Sequence, residues 1–180
     1  MDTMKTRLLQ LLKDKSLKFG DFTLASGKKS SYYFDARLST LDAEGAYLIG
    51  HLLYAEIQRL QLGARAIGGL TMGADPIVSA VSLVSYVQHS PINGFLVRKQ
   101  AKGHGTLRRI EGAFTPGQPV IIVDDVVTTG GSTLQAIAAV EAEGCSVEAI
   151  FCIVDREQGA ADTFSAYAFY PLFTGSDLLA

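Results

Sequence analysis

Asp124 and Asp125 close an apolar run and are followed, after Val126 and Val127, by Thr128-Thr129-Gly130-Gly131-Ser132. Adjacent carboxylates beside so apolar a stretch are costly to desolvate unless they meet partners such as sugar hydroxyls or a hydrated metal ion. The hydroxyl and glycine run suits another task. Its glycines let backbone N–H groups approach an anion closely and its hydroxyls add donors, so it reads as a phosphate cradle leading into a helix. It lacks the Gly-Lys-Ser/Thr ending of a nucleoside triphosphatase and does not fit the Gly-x-Gly-x-x-Gly dinucleotide pattern. The alternative is a plain strand-to-helix turn with Asp and Thr as caps.

A second concentration of chemistry is RKQAKGHGTLRR, Arg98 to Arg109, where five of the sixteen basic side chains fall together without an acid. Gly103 and Gly105 argue against a rigid helix, so a mobile cationic loop is expected. A bare charge run is ordinarily a solvated loop. In an acidic chain with a phosphate cradle elsewhere, a loop that closes on pyrophosphate, stabilises departing charge and excludes water is the sharper reading. Arg156 follows another apolar run, and its planar fork suits a carboxylate-bearing heterocycle; a surface ion pair is the alternative. Tyr32, Tyr33 and Phe34 are consecutive, so in a strand at least one must face outward or a ligand. The Gly68-Gly69 and Gly73 turn is a weaker second anion cradle. His51 reads as structural, with no second metal ligand on its turn.

These groups need a scaffold. Val120 to Val123 are four β-branched residues in a row, the mark of a strand covered on both faces in a parallel sheet, with the acidic pair where that strand ends. From Thr133 a helix is expected, with Leu134, Ile137, Ala138 and Val140 on its apolar side and Gly144 as its stop. Residues 3–15 read as an amphipathic helix, and LKFGDFTLASGKKSSYYFDAR as an antiparallel hairpin forming a small hood. A long helix over 41–63 takes Ser39 or Thr40 as its cap. Residues 64–70 form a strand, and Asp75-Pro76 caps a helix over 77–88 that buries Ile77, Val78, Val81 and Val84, with Tyr86 as a further candidate for the core. Strands follow at 93–99 and 147–154, and the tail adds a final strand and a short helix. The alternation predicts an α/β fold with a parallel-type central sheet flanked by helices, whose strand ends bring Arg156 into one crevice with Asp124, Asp125 and Thr128.

The 180 residues suit one domain with a real core. Hydrophobic residues make up 48% and charged residues 19%, which excludes a disordered chain, and a net charge of -2 gives no bulk attraction for nucleic acid or a membrane surface. Cys145 and Cys152 have no CxxC or histidine companion and read as small apolar residues in a reducing compartment. No signal peptide or membrane-length apolar run is found, so a cytoplasmic protein is expected.

The stretch PVIIVDDVVTTGGST resembles the phosphoribosyl-pyrophosphate (PRPP) signature of the type I phosphoribosyltransferases. The order of apolar strand, Asp-Asp, two apolar residues, Thr-Thr-Gly-Gly-Ser and helix makes the match specific. FTLASGKKSSYYFDAR, VRKQAKGHG and VDRE extend it over most of the chain and are similar to segments of the orotate phosphoribosyltransferases in that family. The resemblance implies a single phosphoribosyltransferase domain over 1–180, with helix and hood in 1–40 and the core in 41–180. It implies PRPP binding by Arg98, Lys99, Lys102, His104, Asp124, Asp125, Val126, Val127, Thr128, Thr129, Gly130, Gly131 and Ser132, with Lys102, His104, Asp124 and Asp125 catalytic. Thr128, Arg156, Tyr33 and Phe34 would meet orotate. The implied cofactor is Mg2+, carried through PRPP and water rather than by direct protein ligands, and the implied assembly is a homodimer whose Arg98 to Arg109 loop acts in trans. The implied reaction is Mg-dependent phosphoribosyl transfer to N1 of orotate in pyrimidine biosynthesis. Rival readings are a purine-type phosphoribosyltransferase and a regulator that binds PRPP without turning it over. Two positions depart from the pattern: Ala25 and Gly73 stand where many or some members carry lysine, with Lys28 or Lys29 as candidates to replace the first.

Overall fold

The computed structural model describes residues 2–23, 29–99 and 109–180. Helix α1 (Asp2–Ser16) leads into a hairpin of β1 (Leu17–Thr23) and β2 (Lys29–Phe34). The short α2 (Arg37–Thr40) and long α3 (Ala43–Arg59) follow, then β3 (Ala66–Leu70), α4 (Asp75–Val87), β4 (Asn93–Val97) and β5 (Ile110–Gly112). The second half is β6 (Pro119–Val127), α5 (Gly131–Glu141), β7 (Ser146–Asp155), α6 (Ala160–Thr163), β8 (Phe169–Thr174) and α7 (Gly175–Leu179).

The main sheet has the order β5-β4-β3-β6-β7-β8, parallel throughout except for the antiparallel edge strand β5. The β-branched run of β6 shows why both faces must be covered. Ile121 and Val123 enter a core with α1, α3 and α4, while Val120 and Ile122 enter a second core with α5 and Phe164. All four are fully buried, so the alternation of a strand feeds two cores at once. The chain leaves β3 for β4 on one side and returns to β6 on the other. This makes the β3/β6 boundary the topological switch point, where a ligand crevice is expected at the carboxyl ends of the strands.

Several local expectations are corrected. Strand β6 continues through Asp124 and Asp125 to Val127, because β7 pairs with it as far as Val127↔Asp155. Helix α5 starts at Gly131, after Gly130 turns the chain at φ 87°, and its buried residues are Thr133, Ala136, Ile137, Ala139 and Val140; Leu134 and Ala138 face outward. Asp42, not Ser39 or Thr40, caps α3, accepting from the N–H groups of Glu44 and Gly45. Ser39 is buried in α2 and shares a 2.6 Å hydrogen bond with Ser16. Asp75 lies inside α4, whose N-cap is Ala74, and accepts from the Thr71 hydroxyl at 3.0 Å. Strand β4 stops at Val97.

Candidate active site

Asp124 is only 6% exposed, and its carboxylate is held on every side by its own chain. Oδ1 accepts from the Asp125 N–H at 3.0 Å; Oδ2 accepts from Thr133 Oγ1 at 3.0 Å and Ser132 Oγ at 3.2 Å. The next carboxylate, Asp125, accepts from the Val126 N–H at 2.8 Å. Strand β6 thus aims the pair, and the first turn of α5 fixes it. Burial, and then the charge of Asp125, push Asp124 up to about 7, against the pull of the Thr133 hydroxyl. Burial raises Asp125 as well, while the Val126 N–H and, more weakly, the Arg37 charge pull it down. Two carboxylates in this condition favour a partner that brings positive charge or hydroxyl donors.

The glycine turn after β3 stands against this pair. A β carbon at Gly73 would collide with Asp125 Oδ1 and lie 2.9 Å from Asp124 Oδ1. Between turn and carboxylates opens a cleft of about 300 Å³, whose walls include Arg37, Thr71, Gly73, Lys99, Val126 and Ser132. Thr128 and Thr129 are exposed beyond it, and Gly130 and Gly131 open α5. A β carbon at Gly131 would touch nothing within 4 Å, whereas one at Gly130 would strike Phe164, so the first is open to an anion and the second is required by packing. Val127 is buried in the core, and its carbonyl accepts from the Arg156 N–H at 2.8 Å; only its backbone is near the site.

That hydrogen bond sets Arg156 beside the carboxyl end of β6. Its guanidinium lies over the Tyr32 ring, 4.7 Å from the centroid, and among the described residues its Nε is buried with no hydrogen-bond partner. The family resemblance places Tyr33 and Phe34 at orotate; in the structure Arg156 lies on Tyr32, Tyr33 stands against Phe22 at 5.6 Å and Phe34 packs on the core. Strand alternation puts Tyr32 and Phe34 on one face of β2, which was readable; which of the three meets Arg156 was not.

The cationic segment begins where β4 and β5 part. The Arg98 N–H donates to Arg109 O at 2.9 Å, the Arg109 side-chain Nε donates to Arg98 O at 3.1 Å, and Arg98 Nε lies 3.6 Å from Glu111. Lys99 is thereby directed to the cleft of the acidic pair. Lys102, His104, Ala25 and Lys28 lie outside the described residues. Arg37 and Thr71, which no motif singles out in the sequence, line the cleft as well. The acid-x-base spacing of Asp35 and Arg37 was the available signal for the first. Among the described residues no group of three His, Cys, Asp or Glu side chains is arranged to hold a metal, and no helix is long and apolar enough to cross a membrane. Cys145 and Cys152 are buried free thiols.

A mostly parallel sheet with a β hood, and a glycine- and hydroxyl-rich helix start beside a buried acidic pair, are the frame of a phosphoribosyltransferase: the family model for the phosphoribosyl transferase domain matches residues 44–168. An orotate phosphoribosyltransferase of Aquifex aeolicus is 44% identical over 180 residues, covering 97% of both chains. The crystal structure of the Mycobacterium tuberculosis orotate phosphoribosyltransferase with Fe(III) dicitrate has a TM-score of 0.85 and 37% identity, covering 97% of this chain and 98% of that one. The same enzyme in complex with PRPP gives a TM-score of 0.81 and 33% identity, with coverage of 98% and 99%. The chain belongs to the orotate phosphoribosyltransferase family.

Proposed function

We propose that the protein transfers the 5-phosphoribosyl group of PRPP to N1 of orotate, releasing diphosphate and forming orotidine 5'-phosphate for pyrimidine biosynthesis. The reading rests on one juxtaposition. The acidic pair of β6, the open N-terminus of α5 and the Tyr32-stacked Arg156 meet at the switch point of a sheet built as in PRPP-using relatives.

Thr128 to Ser132 would hold the 5-phosphate through backbone N–H groups and hydroxyls, and Asp124 and Asp125 the ribose hydroxyls. As the bond from the anomeric carbon to the diphosphate oxygen breaks, positive character develops on the ribose, and the fixed carboxylates favour it. The diphosphate leaves with the bonding pair, met by Arg98, Lys99, Lys102 and His104, of which Lys102 or His104 donates a proton. Orotate N1 forms the new bond from the opposite side, its carboxylate paired with the Arg156 guanidinium that lies on Tyr32, and its ring positioned by Thr128 and the hood aromatics.

Magnesium belongs to the same reading. The buried pair suits a hydrated cation, since burial and mutual repulsion leave it short of positive charge. Asp124 and Asp125 would hold the ion through waters and PRPP oxygens rather than as direct ligands. When bound, it supplies positive charge to the diphosphate.

A homodimer completes the reading, as one 180-residue domain per subunit with the 98–109 loop reaching the partner's site. It is supported by an apolar face on α3 and α4 where Tyr47, Leu83, Tyr86 and Val87 are all exposed. The two buried free thiols suit a cytoplasmic enzyme. The decisive assay is the loss of orotate absorbance on adding PRPP and magnesium. Turnover of a purine base with none of orotate, or PRPP binding without turnover, would replace this conclusion.

A further inference from the structure

Arg37 is not accounted for by any role above. Its Nε and Nη2 donate to the two carboxylate oxygens of Asp35 at 2.8 and 2.9 Å, and its backbone N–H donates to Asp35 Oδ1 at 3.1 Å. Asp35 in turn is tied to the end of α1 through its N–H, which donates to Ser16 O at 3.0 Å. The fork is therefore fixed in direction by the fold, and Nη1 remains for another partner among the described residues. It lines the same cleft as the acidic pair and the Thr71 to Gly73 turn, with Lys99 as the other described cation there.

On the opposite wall stands Gly73, which brings no charge, and a side chain there would require the Asp125 carboxylate to shift. A polyanion in this cleft needs positive charge from elsewhere, and Arg37 presents a cation whose direction is set by the Asp35 fork. Asp125 and Arg37 already feel each other, the arginine pulling the carboxylate down.

We propose that Arg37 is a fixed cation of the PRPP site that contacts the diphosphate group of PRPP and of the released product. This rests on the reaction proposed above, in which the 5-phosphate is assigned to the start of α5 and the orotate carboxylate to Arg156. The diphosphate is the anionic group left for the cleft that Arg37 shares with Thr71, Gly73 and Lys99.

The test is calorimetric binding of PRPP and of inorganic diphosphate, with magnesium, to wild type, Arg37→Gln, Arg37→Lys and Asp35→Asn, alongside steady-state kinetics and melting. Loss of a charge-assisted contact should weaken both ligands roughly ten- to hundredfold in Arg37→Gln. The KM for orotate should stay within about twofold of wild type, the lysine variant should recover part of the loss, and Asp35→Asn should lose less than Arg37→Gln. Unchanged diphosphate and PRPP affinity in a folded Arg37→Gln protein would overturn the proposal. So would an equal loss in Asp35→Asn, which would mark the pair as structural, or an orotate KM raised as much as that for PRPP. A wild type that binds PRPP and turns over orotate keeps these failures separate from failure of the reaction itself.

Discussion

The α carbon of Gly73 faces the carboxylate of Asp125 so closely that no β carbon fits between them. Two strands that are neighbours at the switch point, β3 and β6, thus meet at their carboxyl ends through a glycine and an acid. Gly73→Ala should push the acidic pair out of place without opening a cavity in the core. Because misplacement of about 1 Å costs on the order of a hundredfold, kcat/KM for PRPP should fall by about one to two orders of magnitude while melting changes little. Steady-state kinetics with varied PRPP checks this; a variant of wild-type efficiency would show that the carboxylates move aside freely.

Asp124 makes stability depend on pH. Its native pKa of about 7 lies above the ordinary value of 3.8, so between these pH values the folded chain holds a proton that the unfolded chain has lost. The unfolded state binds fewer protons, and stability falls as pH rises from about 4 to about 7, levelling off above. Asp124→Asn should flatten that slope, leaving the smaller part due to buried Asp125, melt several degrees higher than wild type at pH 8 without ligands, and match it more closely near pH 4. The same variant should lose most activity. Parallel pH profiles for the two proteins would contradict the burial account.

The hood aromatics can be separated by the position of Arg156. Tyr32→Leu removes the ring under the guanidinium and should raise the KM for orotate by roughly three- to thirtyfold, with PRPP binding unchanged. Tyr33 is 40% exposed and packs on Phe22, so Tyr33→Leu should have the smaller effect unless the hood closes on orotate. Orotate kinetics on both variants decide which tyrosine serves the base.

The apolar face of α3 and α4 should be a dimer contact. Leu83→Glu buries a charge there if two copies meet, so sedimentation should report monomers where wild type gives dimers. Mixing Lys102→Ala subunits with Asp124→Asn subunits should restore part of the activity if the loop acts in trans. A monomeric wild type with full turnover would remove both expectations.

Local sequence carried much of this. The run from Val120 to Val123 specified a strand buried on both faces, because β-branched residues without polar alternation can be satisfied only between two cores. The order Asp124-Asp125 and Thr128 to Ser132 specified a glycine- and hydroxyl-rich turn into a helix next to two acids, because glycines end a strand and open a helix whatever surrounds them. Strand β6 runs past the acids because β7 pairs with it there, and a partner strand is a long-range property that local sequence does not encode. Cap positions moved for a similar reason, since Ser39 was engaged by Ser16 of α1 and left Asp42 to cap α3. What tertiary structure alone decided is which distant side chains share the site. Arg37, Gly73, Asp125 and Lys99 come from four separate stretches, and Tyr32 meets Arg156 across more than a hundred residues. Spacing along the chain cannot encode those meetings; the crossover at the switch point and the docking of the hood create them.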